Sequence, residues 1–501
     1  MTTIELIKQG ANLLFTFEPF LMLLLGIIIG LIFGSLPGFS SGNTSALMLP
    51  LTLGMSTAGA ILFIGAIYST CQYSGGIPAI LLGTPGTMGA IATVFDGHSM
   101  AKKGEANRAI GLALFSSSIG GLIASIIAIF IVKPIANIAL GFGPAEMTLL
   151  AVLGLAIISS IAGADVKKGL LCASLGLLVA TMGADPTLGL PRLNFGFFEL
   201  YENVPFIPLI LGFFAFPSII DMVNKENIFE SNIKVQIKMI KDGVIEAARK
   251  PFVILRSSII GLFVGIIPGA GIDIGSFMSY SIAKSLSRSP ETFGKGNPEG
   301  IIAPEAANNG VSAGALVPAL SLGIPGGTTA AIMLSALTLH GVRIGPQVVK
   351  DYPGEVYALF LGIIICSIVI FPLGWLYTKM ALKITAVNTA YLIPAVLVLC
   401  ITGSFAAREL IFDSYICFIG GILGIIMAKE NYPIAPFILG FVLGPIVETN
   451  FIRSILISRG DLSIFISSPI CITMWVIIFI TILLPLVIKV IYKKQETYST
   501  K

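Results

Sequence analysis

Gly30-Leu31-Ile32-Phe33-Gly34-Ser35-Leu36-Pro37-Gly38 and Gly261-Leu262-Phe263-Val264-Gly265-Ile266-Ile267-Pro268-Gly269 carry one pattern, Gly-x-x-x-Gly-x-x-Pro-Gly, near the start of each half of the chain. A second pair follows in the same order: Pro78-Ala79-Ile80-Leu81-Leu82-Gly83-Thr84-Pro85-Gly86 and Pro318-Ala319-Leu320-Ser321-Leu322-Gly323-Ile324-Pro325-Gly326. A third pair closes each half, Pro208-Leu209-Ile210-Leu211-Gly212-Phe213 against Pro436-Phe437-Ile438-Leu439-Gly440-Phe441, with Pro217 matching Pro445. Three matches in order argue for duplication. Each Pro-Gly lies in apolar surroundings. Proline removes a backbone donor and clashes with the preceding turn, and glycine admits conformations other residues resist. The four motifs therefore predict helices broken inside a membrane, or re-entrant hairpins. Such breaks persist only where they line a protein cavity.

The bilayer itself is read from composition. The chain has 501 residues, 55% hydrophobic and 11% charged, where soluble domains carry about 25% charged residues. Its mean hydropathy is +0.96. Apolar segments run over 20–35, 45–70, 109–132, 146–162, 168–184, 205–222, 257–283, 311–339, 356–378, 387–402, 412–428, 433–447 and 464–491. At about 20 residues per crossing they predict an all-α polytopic protein with about twelve spans. The net charge of +4 gives no reason to expect nucleic-acid binding. Cys71, Cys172, Cys366, Cys400, Cys417 and Cys471 have no metal-like spacing, and His98 and His340 are the only histidines, so no metal site is expected. The segment from Met1 to Glu18 carries both charge signs and does not read as a cleavable signal peptide.

The chain divides into a first transmembrane repeat over 1–223, a central basic cytoplasmic loop over 224–256 with an amphipathic helix, and a second repeat over 257–501. No charge separates Gly38 from Thr84, and Lys102, Lys103 and Arg108 follow the second motif. In the second half Lys284, Arg288 and Lys295 lie between the motifs instead. Positive loops stay cytoplasmic, so equivalent loops face opposite sides, which predicts inverted repeats.

Half-helix N-termini attract anions, and freed carbonyls attract cations. The expected substrate-binding residues are therefore those at the breaks: Pro37, Gly38, Ser40, Ser41, Asn43 and Thr44 at the first; Thr84, Pro85, Gly86 and Thr87 at the second; Pro268, Gly269 and Ser276 at the third; Pro325, Gly326 and Thr328 at the fourth, with Asn308 and Asn309 ahead of it. Hydroxyls and amides suit a carboxylate that must bind and then leave. Ionisable groups in apolar surroundings are often functional; Asp273 and Glu305 are candidates for ion coupling, by Na⁺ or a proton. Asp96 and His98 precede the basic Lys102-Lys103 pair and read as an interfacial turn.

These motifs also carry a family resemblance. Leu36-Pro37-Gly38, Tyr73-Ser74-Gly75-Gly76, Pro85-Gly86 and Asp96-Gly97-His98-Ser99-Met100-Ala101-Lys102-Lys103-Gly104 resemble the first half of the large membrane subunit of tripartite tricarboxylate transporters. Ile267-Pro268-Gly269-Ala270-Gly271, Phe293-Gly294-Lys295-Gly296, Ala303-Pro304-Glu305-Ala306-Ala307-Asn308-Asn309 and Leu322-Gly323-Ile324-Pro325-Gly326 resemble the second. The resemblance spans essentially the whole chain, with departures at Ser99, where the family usually has proline, and at Phe39-Ser40-Ser41. It implies a bacterial cytoplasmic-membrane transporter that imports a tricarboxylate such as citrate, or another small organic acid, by symport. Its implied partners are a small membrane subunit of about four spans and an extracytoplasmic solute-binding protein. It implies an ion gradient as the driving force and no cofactor beyond a coupling ion. No Gly-x-x-x-x-Gly-Lys-Ser/Thr loop is present to hold ATP. A stand-alone organic-anion carrier would share these spans and repeats. An intramembrane aspartyl protease, suggested faintly by Gly269-Ala270-Gly271-Ile272-Asp273, lacks the second aspartate that its chemistry needs, so no enzyme is expected.

Overall fold

The computed structural model describes residues 2–36, 39–161, 166–185, 189–224, 237–267, 271–384 and 392–483. Over these residues the protein is a helical assembly. In chain order the first half holds α1 (Thr3–Leu14), α2 (Phe17–Gly34), α3 (Ser41–Met48), α4 (Thr57–Leu82), α5 (Ile91–Lys102), α6 (Ala106–Ala139), α7 (Pro144–Ile161), α8 (Val166–Ala180) and α9 (Phe206–Asn224). Then come α10 (Ile237–Ala248), α11 (Pro251–Ile266), α12 (Gly271–Leu286), α13 (Glu299–Leu322), α14 (Thr328–Leu339), α15 (Val348–Asp351), α16 (Pro353–Ile384), α17 (Leu392–Ala406), α18 (Ile411–Lys429) and α19 (Ile434–Ile457). A last apolar helix, α20, covers Pro469–Leu483. Among the described residues the only strands are a two-residue antiparallel pair, Gly183–Ala184 with Pro191–Arg192.

Five helices among the described residues are long and apolar enough to cross a membrane unaided: α2, α6, α16 over Pro353–Thr378, α18 and α19. Counting apolar runs alone merges separate elements. The run 257–283 is divided between α11 and α12, 311–339 between α13 and α14, and 45–70 is interrupted by the 3₁₀ turn Leu49–Gly54.

α4 and α13 are long but fall outside the apolar set, for a physical reason. Every side chain from Ala58 to Leu81 on α4, and from Gly300 to Ser321 on α13, is buried in protein. A helix that does not face lipid is free to carry polar groups, provided the protein satisfies them. α2 packs on α4 and α11 packs on α13, both through glycine. A methyl group at Gly34 would lie 2.8 Å from Cys71 Cα, and one at Gly261 would lie 2.2 Å from the Ala307 carbonyl. Small residues let helix backbones approach this closely.

The outer helices exchange between halves. α8 packs on α19, where a methyl at Gly440 would sit 2.2 Å from the Ala173 carbonyl, and α9 packs on α18, where one at Gly212 would sit 2.0 Å from the Cys417 carbonyl. The described part of the central basic segment holds α10, which buries Ile240 and Ala247, and the start of α11. α10 docks on α6 through a two-pronged pair of Arg108 with Glu246, Nε to Oε2 at 2.8 Å and Nη2 to Oε1 at 3.0 Å.

Candidate functional site

The helical path is interrupted at each of the four motifs. α2 stops at Gly34 and α3 starts at Ser41; α11 stops at Ile266 and α12 starts at Gly271. Pro37, Gly38, Pro268 and Gly269 lie outside the described residues. The second and fourth breaks are described in full and share one geometry. α4 ends on Gly83 at φ +71°, and α13 ends on Gly323 at φ +75°. Left-handed backbone is the ordinary glycine terminus of a helix. Each helix stops two residues before its proline, Pro85 or Pro325. Gly86 and Gly326 are needed for space instead: a methyl there would lie 2.2 Å from the Gly34 carbonyl and 2.6 Å from the Gly265 carbonyl, respectively. Each Pro-Gly is thus seated against the second glycine of its own half's first motif.

The breaks meet across the halves. Ser41 Oγ, just past the first break, lies 3.0 Å from Thr329 Oγ1, just past the fourth. Gln72 on α4 donates from Nε2 to Ser41 Oγ at 2.8 Å. Asn308 on α13 donates from Nδ2 to the Gln72 carbonyl at 3.2 Å. A methyl at Gly89, past the second break, would fall 2.1 Å from Asn308 Oδ1 and 2.4 Å from Ile272 Cγ2, past the third. First thus faces fourth and second faces third, with Gln72 and Asn308 between them.

This centre is polar, buried and incompletely satisfied. Gln72 Oε1, Asn308 Oδ1, Asn309 Oδ1, Thr84 Oγ1, Thr87 Oγ1 and Ser45 Oγ are buried atoms without a hydrogen-bond partner. Buried polar groups are normally paired, so Gln72 Oε1 and Asn308 Oδ1, where the breaks meet, are open to a further partner. The 3₁₀ turn Met88–Ala90 leading into α5, and α14 itself, begin without a side-chain cap, which leaves their first backbone N–H groups available to an anion.

The expected residues divide accordingly. Ser41 and Asn308 are tied to this centre by hydrogen bonds, while Thr84, Pro85, Gly86, Thr87, Pro325 and Gly326 lie in the breaks between helices. Ser40 caps α3 by accepting from Asn43 N–H at 3.1 Å, and Thr44 hydrogen-bonds back to the Ser40 carbonyl at 3.0 Å. Asn43 turns outward, donating to Ser218 Oγ on α9 at 2.7 Å. It lines a cavity of about 10 Å³ with Phe39, Leu211 and Val396, room for about one water. Ser276 is engaged by its own helix, at 3.2 Å from the Ile272 carbonyl. At the fourth break the hydroxyl that reaches the first half is Thr329, while Thr328 packs its methyl near Gly42. Gln72 escapes a motif search, because it is a single amide inside an apolar stretch.

The side chain of Asp273, on α12, lies outside the described residues. Glu305 is fully buried on α13. Thr93 Oγ1 on α5 donates to its Oε1 at 2.7 Å, and Ser117 Oγ on α6 donates to its Oε2 at 2.7 Å. None of the ion pairs among the described residues includes it.

Asp96 and His98 do not form an interfacial turn. Both belong to helix α5, and Asp96 has no exposed surface. Its carboxylate accepts from the backbone N–H groups of Gly294 (2.9 Å), Gly296 (2.8 Å) and Asn297 (2.7 Å), and from the Tyr280 hydroxyl (2.9 Å). His98 Nδ1 lies 3.2 Å from the Ile80 carbonyl. A charge beside two lysines suggested a loop. The loop is in fact 287–298 of the other half, which α5 grips.

The model of the tripartite tricarboxylate transporter TctA family matches residues 20–439. An uncharacterised 52.8 kDa protein of the TAR-I ttuC′ 3′ region of Agrobacterium vitis is 34% identical over 451 residues, 89% of this chain and 88% of that protein. An uncharacterised protein of the TAR-II ttuC′ 3′ region of the same organism is 33% identical over 242 residues, 48% of this chain and 98% of its own length. No solved structure matches the chain.

Proposed function

The chain belongs to the tripartite tricarboxylate transporter TctA family, and from that premise we propose that it imports a tricarboxylate or another small organic acid, driven by an ion gradient. It is a multi-pass membrane protein of a transporter family. We place it in the bacterial inner membrane, working with a small membrane subunit and an extracytoplasmic solute-binding protein that delivers substrate. It makes and breaks no covalent bond in the substrate.

The observation that carries this reading is the meeting of four helix breaks around buried, unpaired hydroxyls and amides. A carboxylate entering between Ser41, Gln72, Thr329 and Asn308 would replace their mutual hydrogen bonds with its own and would take N–H donors from the uncapped helix starts. An amide turned about its terminal torsion offers NH₂ in place of oxygen, which suits Gln72, Asn308 and Asn309 to an anion. No arginine is fixed at this centre among the described residues, so release remains rapid. Glu305, with Asp273, supplies the coupling-ion function.

The halves 1–223 and 257–501 are read as two inverted repeats with about twelve spans in all. Their equivalent breaks share left-handed glycines at Gly83 and Gly323, and their outer helices exchange partners. Alternating access follows when the elements around the breaks move against α8, α9, α18 and α19.

Uptake of a panel of radiolabelled di- and tricarboxylates, with all three components present, tests the site. Gly86→Leu and Gly326→Leu should each lower uptake roughly tenfold or more while membrane levels stay normal. Normal uptake by both variants would remove the breaks from the transport path.

A further inference from the structure

We infer that Glu305 is a proton-binding site, which makes H⁺ the coupling ion of the transport reading on which this inference rests. The two kinds of coupling ion ask for different surroundings. A hard metal cation gathers about six oxygens. Glu305 is met by two, Thr93 Oγ1 and Ser117 Oγ, each at 2.7 Å, the ordinary length of a hydrogen bond between oxygens. No other hydrogen bond to the carboxylate is made among the described residues. A methyl at Gly76 on α4 would lie 2.7 Å from Oε1 and 3.3 Å from Oε2, so on that side the carboxylate rests against the α4 backbone, with no gap for a further ligand.

No charged group on the helices packed around it forms an ion pair with it among the described residues. Tyr73 of α4, whose hydroxyl has no partner, is the titratable group facing it. On α5, Asp96 is taken by the 294–297 amides and His98 by the Ile80 carbonyl. On α6, Arg108 pairs with Glu105 and Glu246. On α13, Glu299 pairs with Lys250. On α11, which covers another face of α13, Arg256 has buried Nε and Nη2 atoms without a hydrogen-bond partner and forms no ion pair with Glu305; on α12, Tyr280 donates to Asp96.

Hydroxyl partners fit proton exchange because a hydroxyl both donates and accepts. With Glu305 ionised, Thr93 and Ser117 donate to its two oxygens. When a proton binds, one carboxylate oxygen forms an O–H bond, and the hydroxyl beside it turns from donor to acceptor. Release reverses both changes, and no other reactant is needed. Thr93 stands three residues beyond the Met88–Ala90 turn, and Asn308 lies one helical turn beyond Glu305. The proton thus binds between the second break and the buried amides.

Infrared difference spectroscopy on the purified, lipid-reconstituted protein reads this proton without any substrate. Lowering the pH should raise a carboxylic-acid C=O band that is absent in Glu305→Gln. Adding NaCl at fixed pH should leave the band in place. Thr93→Val, which removes one hydroxyl partner, should shift the band to higher frequency, and this identifies it even if Glu305→Gln fails to fold. Absence of a band that responds to either substitution, or its removal by Na⁺ at constant pH, would overturn the proton assignment. Failure of the transport reading has a separate signature: no organic-acid uptake by the unmodified three-component system.

Discussion

Asp96 and Glu305 are both buried carboxylates at the contact between α5 and the second half, yet their partners differ in kind. Asp96 is met by three backbone N–H groups and a tyrosine hydroxyl, and Glu305 by two aliphatic hydroxyls. Backbone amides only donate and are fixed by the loop that carries them, so the 294–297 segment suits one permanent anion. Serine and threonine hydroxyls rotate and reverse roles, so the Glu305 pocket serves a carboxyl group with or without its proton. The first is a structural clasp and the second an exchange site. Burial alone, equal in the two, does not distinguish them.

The largest expected effect would break this comparison outright if it failed. Asp96→Asn strips acceptor capacity from several buried amides at once and should destabilise the protein by on the order of 3 kcal/mol or more, seen as a lowered Tm in detergent. Glu305→Gln, which keeps a polar group of the same shape, should stay within about 1 kcal/mol of the parent while abolishing gradient-driven accumulation. A reversed order of stabilities would exchange the two roles.

The second comparison is between the equivalent breaks, and it predicts equal effects. Gly83→Ala and Gly323→Ala each force a left-handed conformation on a side chain and should each be destabilising by about 1–2 kcal/mol, measured by thermal unfolding. A large effect at one and none at the other would mean that the breaks share a shape without sharing a role. Smaller still, Thr93→Val removes one hydrogen bond to Glu305 and should be destabilising by about 1 kcal/mol. At the bottom of the scale is the partly exposed pair of Arg108 with Glu246. Glu246→Gln should change stability by about 0.2–1 kcal/mol, less at high salt, and should leave uptake unchanged.

What the sequence made legible follows the same division between backbone and side chain. The helix interruptions were readable, because proline and glycine impose their limits locally. So was the burial of Glu305, a carboxylate set within an apolar run. Gln72, Thr93 and Ser117 were not, because their meaning lies in partners 31 to 212 residues away. Asp96 misled, since the amides that neutralise its context come from a loop of the other half. Five described helices are long and apolar enough to cross a membrane; the breaks divide other apolar runs into shorter helices, and hydropathy underrates α4 and α13 because they are wrapped in protein, where polar side chains carry no lipid penalty.

A cryo-EM map of the assembled three-component transporter with bound organic acid tests the docking place most directly. Density is expected within hydrogen-bonding reach of Ser41, Gln72, Asn308 and Thr329, with the contact between Ser41 and Thr329 opened to admit it. Density lodged elsewhere in the membrane subunit, with Ser41 still against Thr329 and Gln72 still on Ser41, would contradict it.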